Sequence, residues 1–124
     1  MKYSPVAAAL SPLIVGGSVF TCGVIELEVL FSARTHADLV STRALRRALP
    51  SVELSQSDFD RAIDVLEELA KSGQHRTAGI PDLLIAAVAE RNFLTVLHYD
   101  KDFDLIARVT GQAAQWVVPV GSVP

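Results

Sequence analysis

Four carboxylates in three separate segments are candidates for joint chemistry: Glu28, Asp82, Asp100 and Asp102. Asp82 follows Pro81 at the head of an apolar stretch, which places it in the first turn of a predicted helix over residues 81–91. A carboxylate there complements the helix dipole by about 0.3–1 kcal/mol, so a purely structural role is also open to it. Asp100 comes just past an apolar run, residues 94–99. The carboxyl ends of strands are where α/β sheets collect their ligands. Asp102 and Asp104 fall at the start of the next predicted helix, residues 102–110. Acids are favoured there, and helix capping is the reading for Asp104 and part of the reading for Asp102.

Glu28 is the fourth candidate. At 100° per residue it falls among Val24, Ile25 and Phe31, while Glu26 falls on the opposite side. An ionised carboxylate among large apolar side chains is costly unless it is paired or holds a metal, so burial with a cation is the expectation. An all-carboxylate set suits a hard ion such as magnesium or manganese. Such an ion polarises a phosphoryl group and activates water. His36, His75 and His98 are scattered and Cys22 is alone, so no zinc spacing is present. The phosphate loop, the dinucleotide fingerprint and the serine nucleophile elbow are absent too.

These carboxylates must be positioned by alternating helices and short apolar strands. Helices are predicted over residues 6–15 (entered through Ser4-Pro5), 23–34, 36–49, a segment capped by Ser55 or Ser57, 81–91 and 102–110. The helix over 23–34 is apolar nearly all round, which implies burial. In the segment after Ser57, residues Phe59, Ala62, Ile63, Leu66 and Leu69 mark the buried stripe, and Glu67 with Lys71 forms an i,i+4 pair. Short strands are predicted over 19–22, 51–54, 94–99 and 115–118. The run Leu94-Thr95-Val96-Leu97 is nearly continuous rather than alternating, as in a parallel strand covered on both faces. The class is α/β, with helices flanking a central, mostly parallel sheet.

With 124 residues, one domain spanning 1–124 is the expectation. Half of the residues are hydrophobic and a fifth charged, which argues against disorder. A net charge of −3 disfavours a non-specific nucleic-acid coat but not a nuclease that clusters acids around metal. Arg43, Arg46 and Arg47 read as a solvated helix face. Arg76 and Arg34 are weak candidates for contacts to RNA phosphates. A single cysteine points to a reducing cytoplasm, with Cys22 as a small buried hydrophobe. The apolar N-terminus is broken by Pro5, Pro12, Gly16 and Gly17, against a signal peptide or membrane span. His75 reads as a loop residue, Trp116 as core or interface, and His98 as a residue that could support the cleft.

The segments "GVIELEVLFSAR", "GQHR", "IPDLLIAAVAE", "LTVLHYDKDFDLIA" and "TGQAAQWV" resemble PIN-domain ribonucleases of the VapC toxin type, over nearly the whole chain. The resemblance implies a PIN-like fold, a homodimer, a cognate antitoxin partner in a type II toxin–antitoxin system, and magnesium- or manganese-dependent endonucleolytic cleavage of RNA. It implies Glu28, Asp82 and Asp100 as three of the family's four acids, with Asp102 as helper. The first family acid, an aspartate ending the first strand, has no counterpart: no Asp or Glu precedes Glu26. The N-terminal strand is therefore expected to be missing and the domain shortened. A start upstream of Met1 is the favoured explanation; a decayed gene, or a strand supplied by a partner chain, stays open. The alternative function is a catalytically impaired module that binds the antitoxin. A phosphoacceptor receiver domain is disfavoured, because no early strand ends in adjacent acids.

Overall fold

The computed structural model describes residues 5–123. Ser4, expected to lead into the first helix, lies outside them. The order is α1 (Pro5–Val15), β1 (Thr21–Cys22), α2 (Gly23–Phe31), α3 (His36–Arg46), β2 (Ser51–Val52), α4 (Gln56–Ala70), α5 (Ile80–Arg91), β3 (Val96–His98), α6 (Lys101–Thr110) and β4 (Ala114–Trp116). All the predicted elements are present, but the strands are two or three residues long, shorter than expected.

The helix boundaries follow local chemistry. The Thr35 side chain accepts the Asp38 amide at 3.0 Å and starts α3. At α4 the Asp58 carboxylate accepts the Ser55 amide at 2.8 Å, so Ser55 rather than Ser57 is the cap. Helix α5 opens on Gly79 with Pro81 in its first turn, where the missing amide costs nothing. Asp100 caps α6, its side chain accepting the Asp102 amide at 2.9 Å. Gly111, at φ 73°, takes the left-handed conformation that closes α6.

The core joins α4, α5 and α6. Ala62, Val65 and Leu69 of α4 meet Leu83 and Ala86 of α5 and Ile106 of α6. Alanines at 86, 87 and 89 let α5 approach its neighbours closely. The predicted α4 stripe is correct at Ala62 and Leu69, holds in part at half-buried Leu66, and fails at Phe59 and Ile63. Val65 is buried, whereas Phe59 and Ile63 face outward. The lysine pair is also displaced: Lys71 bonds Glu68 at 2.7 Å, one residue nearer than the expected Glu67.

The sheet is split. β1 pairs with β2 and β3 with β4, both parallel, and no strand among the described residues joins the two pairs. One central sheet was expected; two parallel pairs are observed among the described residues. Helix α2 also departs from expectation. It has no buried residue, and Phe31 is 92% exposed, so its all-round apolarity does not reflect burial in this chain. Cys22 is buried, as expected for a small hydrophobe.

Candidate metal centre

Two structural choices bring the acids together. Strand β3 ends at His98, and the chain turns at Asp100 into α6, so Asp100 and Asp102 stand at the strand's carboxyl end. Helix α5 presents Asp82 from its first turn toward the same point. One carboxylate oxygen from each of Asp82, Asp100 and Asp102 lies within 4.8 Å of the others. A cleft of about 420 Å³ opens there, walled by Ile25, Glu28 and Val29 of α2, Asp82 and Ile85 of α5, and residues 96–100.

Charge repulsion is visible in Asp82. Its carboxyl is pushed up from an ordinary 3.8 to about 6, first by burial, then by the charges of Asp100, Glu28 and Asp102. No side-chain hydrogen bond offsets this at Asp82 among the described residues. A divalent cation would remove the repulsion. The donor set, three converging carboxylates with a fourth acid facing them, is that of a hard ion. Glu28 lies outside the 4.8 Å group, but its charge reaches Asp82.

Glu28 itself is exposed, not buried among apolar chains as the helical wheel implied. The wheel assumed that the apolar side of α2 is interior, yet Leu27 and Phe31 flank Glu28 in an open hollow. Glu26 is instead the part-buried acid. It accepts two hydrogen bonds from Arg46, at 2.7 and 2.8 Å, and a third from the Thr21 hydroxyl at 2.5 Å. The Arg46 guanidinium holds its carboxyl below the usual range. Arg46 is thus a clamp from α3 onto α2, not a solvated residue like Arg43 and Arg47.

Arg34 and Arg76 are not buried, and neither side chain has a bonding partner among the described residues. His75 is an exposed loop residue. Sequence reasoning missed three arrangements. Asp58 is buried and paired with Arg91 of α5 at 2.8 and 2.9 Å. Asp104 does not serve as a simple helix acid: it accepts the Trp116 indole N–H at 2.8 Å and faces His98. His98 is buried rather than merely bordering the cleft. No local signal predicts these, because each joins residues from different elements.

The PIN domain family model matches residues 4–109. The chain belongs to the PIN-domain family. Ribonuclease VapC51 of Mycobacterium tuberculosis is 43% identical over 118 residues, which cover 95% of this chain and 85% of that protein. Ribonuclease VapC21 of the same organism is 42% identical over 114 residues, covering 91% and 83%. Ribonuclease VapC2 is 46% identical over 116 residues, covering 90% and 81%. These relatives match the resemblance carried by the acid-bearing segments, and the α/β architecture is that of a PIN-like domain.

Proposed function

We propose that this PIN-domain protein is a metal-dependent endoribonuclease, the toxin of a type II toxin–antitoxin pair. The observation that carries the reading is the convergence of Asp82, Asp100 and Asp102 at a cleft lined by Asp82, Asp100 and Glu28. The names of the relatives, all ribonucleases, support RNA as the substrate. Asp82, Asp100 and Glu28 are the proposed catalytic acids, with Asp102 assisting in holding magnesium or manganese. When bound, such an ion supplies charge to the phosphoryl oxygens and lowers the pKa of a bound water. The protein's part is to preorient the carboxylates. Asp100 does so with its Oδ1 engaged by the Asp102 amide. The cations of Arg34 and Arg76, unpaired among the described residues, are proposed to receive RNA phosphates.

The partners in this reading are RNA, a cognate antitoxin and a second copy of the chain. The exposed Leu27 and Phe31 of α2 support a covered surface. So does the total accessible area of 8357 Å², against about 6500 Å² for a compact monomer of this mass. No helix among the described residues is long and apolar enough to cross a membrane, and the proposed location is the cytoplasm. RNA cleavage followed with and without EDTA, and in Asp82→Asn, tests the activity. Cleavage that survives chelation, or full activity in the variant, refutes it. Tight antitoxin binding without any metal-dependent cleavage would favour the impaired binding module instead.

A further inference from the structure

The His98 side chain is 2% exposed. Its Nδ1 accepts the backbone N–H of Asp100 at 3.2 Å. The proton of the neutral ring therefore sits on Nε2. That Nε2 has no hydrogen-bond partner among the described residues and lies 3.5 Å from Asp104 Oδ1, too far for a good bond but near enough for attraction. Asp104 is in turn held by the Trp116 N–H at 2.8 Å. The ring is wedged between Phe103 and Trp116, at centroid distances of 5.3 and 4.9 Å. Parallel pairing puts His98 directly opposite Trp116, which fixes this stack.

Resting on the proposed metal centre, we propose that His98 is a positioning residue for Asp100, oriented by Asp104 and Trp116. Asp100 is held at two points. Its amide is bonded by His98, and its Oδ1 by the Asp102 amide, so the remaining oxygen has a set direction. Groups that orient a metal ligand typically contribute about 10- to 100-fold to metal affinity. The residue that aims the ligand here contacts the ligand's backbone, not its carboxylate. It acts by fixing where the strand ends and the helix begins.

Replacement by Asn and by Gln separates the two ring nitrogens. His98→Asn keeps an acceptor near the Nδ1 position. His98→Gln places its polar atoms near Nε2 and leaves the Asp100 amide without a partner. Manganese binding to the full chain, read from the free-ion EPR signal, is expected to be near wild type in His98→Asn. It is expected to be about 10-fold weaker in His98→Gln. Wild-type affinity in His98→Gln, or equal weakening in His98→Asn, overturns the proposal. If both variants fail to fold by circular dichroism, Trp116→Phe decides: it keeps a ring but removes the donor to Asp104. It should weaken manganese binding about 3-fold, and unchanged binding overturns the proposal. If wild-type protein binds no manganese, the metal reading fails by itself. Amide exchange at Asp100, read by NMR, then decides positioning. Protection in wild type and His98→Asn but not in His98→Gln supports it, and fast exchange already in wild type overturns it.

Discussion

Replacing Asp82 by Asn should stabilise the metal-free protein while destroying its metal site. The Asp82 carboxyl is held at about 6 against an ordinary 3.8, because burial and three neighbouring acids disfavour its charge. At full weight such a displacement corresponds to about 3 kcal/mol of unfavourable interaction in the ionised form. Asp82 is only half-buried, and solvent screening reduces this to about 1–1.5 kcal/mol. The carboxylate's favourable interaction with the α5 dipole, lost in Asn, returns about 0.3–1 kcal/mol. The net gain at pH 7.5 is therefore about 0–1.2 kcal/mol, at most roughly 6 °C in Tm for a chain of this length.

The pH dependence has a definite sign. A carboxyl whose folded-state pKa is raised binds more protons folded than unfolded, so it takes stability away as pH rises. The loss begins above the unfolded value of 3.8 and is complete once pH has passed about 6. The advantage of Asp82→Asn should thus be small near pH 4, grow between 4 and 6, and level off above 7. Urea denaturation of both proteins in EDTA across this range measures it as a difference of differences, which cancels the other acids. Adding manganese should reverse the order, because the ion stabilises only the protein that binds it, by about 2.7 kcal/mol at a hundred times Kd. An Asn variant that is less stable than wild type at pH 7.5 in EDTA, or a gain that ignores pH, would refute the electrostatic reasoning about this cluster.

The two acids of α2 should separate cleanly. Glu26→Gln should cost about 1 kcal/mol by losing the charge in its two-point contact with Arg46, with manganese affinity unchanged. That contribution is present above the ordinary Glu value of 4.5 and is lost as pH falls through the lowered folded value. Glu28→Gln should leave thermal stability within about 0.5 kcal/mol, as exposed substitutions do, and lower metal-dependent cleavage. The reverse pattern would mean that the two roles have been exchanged. Asp58→Ala should cost about 2–3 kcal/mol in urea denaturation, since it removes both the α4 cap and the bonds to Arg91. A loss below about 0.5 kcal/mol would show that the pair contributes nothing.

Why some of this was legible before the structure and some was not follows from the range of the interactions. Asp82 and Asp100 are placed by local signals, a Pro-led helix start and the end of an apolar strand, and both survive folding unchanged. Strand lengths were overestimated because apolarity marks burial against helices as well as pairing. Only Val96–His98 of the apolar run forms ladder bonds. In α2 a wheel shows which residues share a face but not which face is interior. Glu28 therefore lines the cleft, but not for the reason given by the wheel, which the exposed Phe31 removes. The arrangement behind Asp100 had no signal of either kind. His98, Asp104 and Trp116 come from β3, α6 and β4, and only the parallel register that sets His98 against Trp116 brings them together. That register also explains why an acid with an ordinary helix-start role in sequence is used otherwise. Asp104 lies one turn into α6, on the side facing β4, where the indole N–H would be a half-buried donor without an acceptor. An acid there satisfies the indole and at the same time stands 3.5 Å from His98 Nε2, whose Nδ1 accepts the Asp100 amide. Local propensity and tertiary demand agree on the residue at this position, and the tertiary demand is what ties the strand end to the acidic cleft.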